Sequence, residues 1–453
     1  GAVRSARPRT VPAASAAPVH RRATGGARVA CEAVTTARPT VPGDVDLTDL
    51  DRFADGFPHD VFTRLRAEVP LAWHEPTEHT PDGEGFWVVT RHDHMTAIAN
   101  DAPAFVSGVC PARPDGGGTI IDDLPGGFAA GVLLNMTDAP RHQMLRRLVT
   151  PTVSPRALGA LETDLHARAV TIVDEALDRG ACDLLVDLAA ELPLQAIASL
   201  LGVPQSDRHD LLGWANATLD HVERDADARA ARQQAAATAM AEYARRRIAD
   251  ARRAPGDDML SAFVTGIPDA ARPDEGTSDL EQQMFFSLLV AAGSETTRNS
   301  IAVGLLELAA HEDQWRLVRD DPSVRASAVE EMLRWASSTS YNRRTASAAV
   351  DLDGVTIGAG EKVTLWWSSA NRDEAEFVDP FVFDVTRSPN RHLAFGHGAH
   401  FCLGAGLARL EMRLVLDAVL DRVARIEPTG PVEWVRSNKH TGVRHAPVVL
   451  HAR

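Results

Sequence analysis

A chain of 453 residues with 44% hydrophobic and 24% charged residues has ample material for a large core and lies far from the composition of a disordered protein. Its formal net charge of −15 repels a polyphosphate backbone and argues against nucleic acid as a partner. The cysteines, Cys31, Cys110, Cys182 and Cys402, are scattered without a CxxC pair, the usage of reduced thiols in a cytoplasm rather than of a disulfide framework.

Residues 1–42 are rich in Ala, Arg, Pro, Thr and Ser, contain Glu32 as their one acid, and carry no periodic apolar pattern, which predicts a disordered tail. Order is expected from 43 to 453. The segments "PLAWHE" and "GFWVVTRH", separated by "TPDGEG", predict a β-hairpin. Apolar residues at three- and four-residue spacing then predict helices over 158–180, 191–202, 237–253, 279–311 and 325–336. Short β signals return at 349–367, where "LDG" and "GAGE" mark turns. The apolar run Phe285–Gly293 falls well short of the ~20 residues needed to cross a bilayer, so no membrane span is expected. The fold class is mostly α with a small β lobe.

The predicted helix 279–311 is interrupted by Gly293 and Glu295. A glycine there costs about 1 kcal/mol relative to alanine, and an acid in an apolar run is costly unless solvated or paired. The Thr296 hydroxyl can bond back to the Ala292 carbonyl, and Gly293 leaves room for a local widening of the helix. Together they would make a groove for a diatomic ligand and water, with Glu295 relaying protons. The plain alternative is a packing glycine and a threonine facing a neighbour.

In "EEMLR", Glu331 and Arg334 have the spacing of an i,i+3 ion pair. The stretch "FGHGAHFCLGAG" places Cys402 among glycines, just before a helical pattern with Leu407, Leu410 and Leu414 on one stripe. Such a cysteine could be a nucleophile, a zinc ligand with His397 and His400, or the thiolate of a heme iron. The glycines favour the third: Gly396 and Gly398 permit a sharp turn with positive φ, and Gly404 and Gly406 lack side chains where a flat macrocycle would approach. The helix N-terminus supports an anionic sulfur, which Phe395 would cover.

Phe395, Gly398, Cys402 and Gly404 fit the FxxGxxxCxG signature, and residues 45 to 450 resemble the bacterial soluble members of the cytochrome P450 superfamily. The resemblance implies a single heme domain of the cytochrome P450 fold. Its heme b (iron protoporphyrin IX) would have Cys402 as iron ligand and Phe395, Gly396, Gly404, His400 and Ala292 against it. "DAPRHQMLRR" resembles the family's DxxxHxxxR stretch, so His142 and Arg146, with Arg344 and His400, would meet the heme propionates. Thr296 and Glu295 resemble the family's acid–alcohol pair, which delivers protons to bound O2. Leu288, Ala291, Thr339 and Ser340 would line the substrate pocket.

Glu331 and Arg334 match the structural ExxR pair. It is normally completed by a later arginine, where this chain has Val382, and Arg372 is the candidate substitute. The implied activity is monooxygenation, hydroxylation or epoxidation, of a small organic substrate. Electrons would come ultimately from NAD(P)H through a separate ferredoxin and ferredoxin reductase. The protein is expected to be a cytoplasmic bacterial monomer. Ser338, Thr339 and Ser340 make a less greasy wall and point to a mid-sized natural-product intermediate with polar groups rather than a fatty chain.

Overall fold

Leu71–His74 (β1) and Phe86–Val89 (β2) fold back as the expected antiparallel hairpin, in register from Leu71 opposite Val89 to His74 opposite Phe86. A short helix, His92–Asn100 (α1), follows. Phe105–Val106 (β3), Asn342–Ala346 (β4) and Lys362–Leu365 (β5) complete a five-stranded sheet in the order β1-β2-β5-β4-β3. Its inward side chains, with Phe53, Phe62, Trp366 and Trp367, form one apolar core. The computed structural model describes residues 38–123, 129–219, 226–266 and 276–453. Of the expected tail, residues 1–37 lie outside these. Residues 38–42 already belong to the fold, because Val41 N–H donates to Trp73 O at 2.9 Å and Arg38 bonds Glu361.

The helices build the second, larger core. Arg141–Val149 (α2) leads into Pro155–Arg179 (α3), which starts with Ser154 capping the Ala157 N–H and a proline in the first turn, and stops at Gly180 with φ +71°. Glu191–Leu200 (α4), Arg208–Leu219 (α5) and Ala226–Arg253 (α6) follow. Asp279–Ala310 (α7), the longest helix at 32 residues, spans roughly 48 Å. A capping box starts it: Glu281 N–H donates to Ser278 Oγ, and Ser278 N–H to the Glu281 carboxylate. It is apolar on most sides because α4–α6 and the later helices surround it, as a central helix requires. Arg141 binds the Glu281 carboxylate with two hydrogen bonds of 2.9 and 2.7 Å and so ties α2 to the start of α7.

Arg325–Ala336 (α8) and Ala405–Arg422 (α9) complete the helical body, and α9 packs along α3. After α9 the chain returns as strand Val423–Pro428, which pairs with Pro447–Ala452, itself paired with Ala181–Asp183. Neither this small sheet nor β4 stood out in the sequence pattern. No helix among the described residues is long and apolar enough to cross a membrane.

Candidate active site

The cysteine loop is set by two glycines in left-handed conformation, Gly396 at φ +69° and Gly398 at φ +71°. A Cβ on Gly398 would fall 2.1 Å from the Ala99 carbonyl oxygen in α1, so no larger residue fits this turn. The loop closes where Cys402 N–H donates to Phe395 O at 3.0 Å, and α9 begins at Ala405. The Phe395 ring is held by the Arg409 guanidinium 4.6 Å above it and by the His392 and Phe401 rings at 5.9 and 6.0 Å.

Cys402 presents open surface although its sulfur lies deep in the protein, so it borders an interior recess. Burial pushes its thiol above the ordinary value, outweighing the Gly404 and Ala405 amides and the Arg146 and Arg409 charges that favour the anion. A thiolate here therefore calls for a cation on the sulfur itself, which a heme iron would supply. Gly404 keeps its face clear: a Cβ there would meet only the Cys402 sulfur, at 4.0 Å. Gly406 serves differently from expectation. Its Cβ would sit 3.0 Å from Leu158 Cδ1, so this glycine lets α9 pack on α3.

Four residues from distant segments, proposed for an anionic cofactor, gather beside the cysteine. The His142 and His400 rings lie 4.2 Å apart, and His400 Nε2 is 3.5 Å from Asp138, which also accepts from the Ser107 and Gly108 amides. Burial, then the charges of His400 and Arg146, push His142 down to about 4. Arg146 Nη1 donates to Phe401 O at 2.6 Å and feels the Cys402 sulfur. Arg344, on β4, is buried and bonds only the Arg343 carbonyl. It has no carboxylate partner among the described residues, and burial pulls it to about 10. Two arginines, Arg146 and Arg344, with no carboxylate of the described residues at ion-pair distance, beside two imidazoles able to donate, fit a group bearing carboxylates, as heme does.

His397, His400 and Cys402 do not converge as zinc ligands. Among the described residues one set of three such side chains gathers, Asp82, Glu84 and Asp123, and it is taken up by Arg113, Lys362 and Arg343. These ion pairs pin the segment 113–123 to the β sheet.

On α7 the Thr296 hydroxyl donates to Ala292 O at 3.0 Å, as expected, and Ala292 presents open surface between buried Val290 and Ser294. Glu295 is buried, near enough to Arg298 to favour its charge, and Arg298 donates to Asn216 on α5 at 3.0 Å. The expected widening at Gly293 is not present, since α7 runs as regular α-helix throughout. A Cβ on Gly293 would lie 2.8 Å from Ile197 Cδ1 of α4, so helix packing accounts for this glycine.

Glu331 and Arg334 are wholly buried and form a two-pronged pair at 2.8 and 2.7 Å. The third member is Arg387, not Arg372. Arg387 Nε lies 3.3 Å from the Glu331 carboxylate, and its other nitrogens bond the carbonyls of Val378, Asp379 and Val382. Arg372 instead donates to the Arg334 and Trp335 carbonyls and stacks 4.1 Å over the Trp335 ring. Val382 contributes its backbone oxygen to Arg334 as well. The signal for Arg387 was the Asp384–Arg387 turn, whose Asp384 N–H also caps Glu331 at 2.9 Å.

Leu288 and Ala291 are half-buried against the helical core. In the predicted pocket wall, Ser338 Oγ is 2.9 Å from Ser300 Oγ on α7, and Ser340 Oγ is 2.9 Å from Thr441 Oγ1. Those two hydroxyls hold the wall together, and Thr339 pairs with His440 in an isolated bridge. Sequence reasoning missed the segment 437–441, which carries Lys439, as part of this wall.

A cysteine at the mouth of α9, arginines and histidines beside it, and Glu295 and Thr296 on a long central helix make the arrangement expected of a heme-thiolate oxygenase. The cytochrome P450 family profile matches residues 324–432. The chain is 46% identical, over 90% of its length and 97% of the relative's, to cytochrome P450 126 of Mycobacterium tuberculosis. It is 35% identical, over 92% of this chain and 95% of the other, to a steroid C26-monooxygenase of the same species. A structure of a Mycobacterium marinum cytochrome P450 in complex with pseudoionone superposes with a TM-score of 0.79 at 33% identity, covering 86% of this chain and 94% of that one. The chain belongs to the cytochrome P450 family and is a cytochrome P450 monooxygenase, whose family cofactor is a heme thiolate.

Proposed function

We propose that the protein inserts one oxygen atom of O2 into a C–H or C=C bond of a mid-sized organic substrate bearing polar groups. The reading takes this substrate to be a natural-product intermediate, the cofactor to be heme b, and the setting to be the bacterial cytoplasm, where the protein acts as a monomer. The electrons come from NAD(P)H through a separate ferredoxin and its reductase. The observation that carries the reading is the meeting of Cys402 with the cations Arg146 and Arg344 and the imidazoles of His142 and His400, drawn from three distant segments. The steroid named for one relative supports a substrate of that size.

Bound heme supplies the redox chemistry that activates oxygen. The chain's residues do the rest. Cys402 would hold the iron, with the Gly404 and Ala405 amides facing its sulfur. Arg344 and Arg146, with His142 and His400, would hold the propionates. Thr296 donates its O–H hydrogen bond to Ala292 O and leaves its oxygen free to accept, and rotation of the side chain would point the O–H outward. Glu295, beside Arg298 and thus linked to Asn216, is the group that replaces that proton from the α5 side.

The test is heme-supplemented expression followed by the spectrum of the reduced carbon monoxide adduct. The wild type is expected to show the red-displaced Soret band of thiolate ligation, and Cys402→Ser to lose it. Turnover under labelled O2 with a ferredoxin system should place one labelled atom in product. A Cys402→Ser protein that keeps the band overturns the assignment.

A further inference from the structure

Lys439 lies in a turn whose backbone is fixed against the pocket wall. Ser340 N–H donates to Lys439 O at 2.9 Å, Thr441 N–H donates to Ser338 O at 3.0 Å, and Ser437 Oγ accepts from Lys439 N–H at 3.1 Å. Its backbone thus lies against Ser340, and its side chain reaches the neighbouring Tyr341. The ammonium donates to Tyr341 O at 2.6 Å and Thr119 O at 3.0 Å, and it sits 4.7 Å over the Tyr341 ring.

An ammonium has three N–H donors, and protein carbonyls take two of them here. No carboxylate of the described residues lies within ion-pair distance of Lys439. A neutral amide side chain could tether the same two carbonyls without the cost of burying a charge, so tethering alone does not explain a lysine. Lys439 is half-buried, and the protein packed around it desolvates its ammonium. Burial, then the neighbouring Arg344 charge, pulls its ammonium down to about 7, and an anion bound there would offset both.

We propose that Lys439 binds a carboxylate of the substrate, so that the enzyme's substrate is an organic acid. The inference rests on the monooxygenase reading above and names the substrate class of that site. The same carboxylate chemistry could come from a heme propionate, since Arg344 is close by, and the experiment separates the two sources.

The full-length heme-loaded enzyme is titrated with deoxycholic, abietic and dodecanoic acids and with the methyl ester of each. Binding is followed by the Soret shift and by calorimetry, in the wild type, Lys439→Met and Lys439→Arg. At least one acid is expected to bind the wild type about tenfold or more tighter than its ester. Lys439→Met removes that preference by weakening the acid alone, and Lys439→Arg retains it. Acids and esters that bind the wild type alike, or that all fail to bind, overturn the proposal. So does a Lys439→Met enzyme that loses heme or shifts its midpoint potential while its acid preference stands, because Lys439 then serves the cofactor. Should Lys439→Met not fold, the wild-type comparison and Lys439→Arg still decide. Failure of the monooxygenase reading shows separately, as a missing thiolate band in the carbon monoxide adduct.

Discussion

Arg387 stands 3.3 Å from the carboxylate of Glu331, a residue with no exposed surface that already holds Arg334 in a two-pronged pair. Burial pushes the Glu331 carboxyl up, yet the bonds from Arg334, the Asp384 amide and the Arg387 charge outweigh it and hold it below its ordinary value. Arg387→Ala removes one of these cations together with three carbonyl contacts of the segment leading into the cysteine loop. It should cost about 3 kcal/mol in urea unfolding and lower the heme-loaded fraction. Arg387→Lys, which restores charge but not the guanidinium fork, should fall between.

Thr296 carries the proton nearest the open face of α7. Thr296→Ala should leave substrate affinity within about twofold while product formed per NAD(P)H falls about tenfold or more, with hydrogen peroxide making up the difference. Unchanged coupling in a product-and-peroxide assay would remove Thr296 from proton delivery.

Gly293 is a packing residue, and its substitution should act through α4. Gly293→Ala is expected to destabilise by about 1–3 kcal/mol in chemical unfolding, because the new methyl meets Ile197 at 2.8 Å. Combined with Ile197→Ala, it should cost less than the two single losses summed. A Gly293→Ala enzyme with full stability and altered oxygen chemistry would instead indicate a groove.

Glu330 joins α8 to both sides of the cysteine loop, through His392 at 3.0 Å and Arg409 at 2.7 and 2.8 Å. Burial alone would raise its carboxyl, but the bonds from Arg409 and His392 hold it at about 2, against an ordinary 4.5. A depressed carboxyl contributes stability that is complete above the unfolded value and disappears as pH falls toward the folded one. The melting-temperature advantage of the wild type over Glu330→Gln should therefore shrink as pH is lowered through 4.5 toward 2. An advantage independent of pH over this window would refute the assignment.

The helices were legible because their apolar periodicity is long and their caps are local: α7 was read to within one residue at its end, and α8 at both ends. The cysteine loop was legible because its glycines and thiol crowd into twelve residues. Arg387 was not, because its link to Glu331 depends on how an irregular segment folds back over 56 residues. Gly406 was assigned to the cofactor, and Gly293 was left between an oxygen-binding groove and helix packing, because a sequence names the glycine but not the neighbour, here Leu158 and Ile197, that requires it. Lys439 escaped notice because its wall is assembled from segments about a hundred residues apart.

Lysine occurs at only two positions in the chain, Lys362 and Lys439. The first is 1% exposed under Asp82 and Glu84, and the second is half-buried with its ammonium bonded to the Thr119 and Tyr341 carbonyls. The folded protein is therefore almost blind to acylating reagents at its side-chain amines. Labelling with an activated ester becomes a reporter of unfolding, and surface chemistry for immobilisation has to be directed at carboxylates instead.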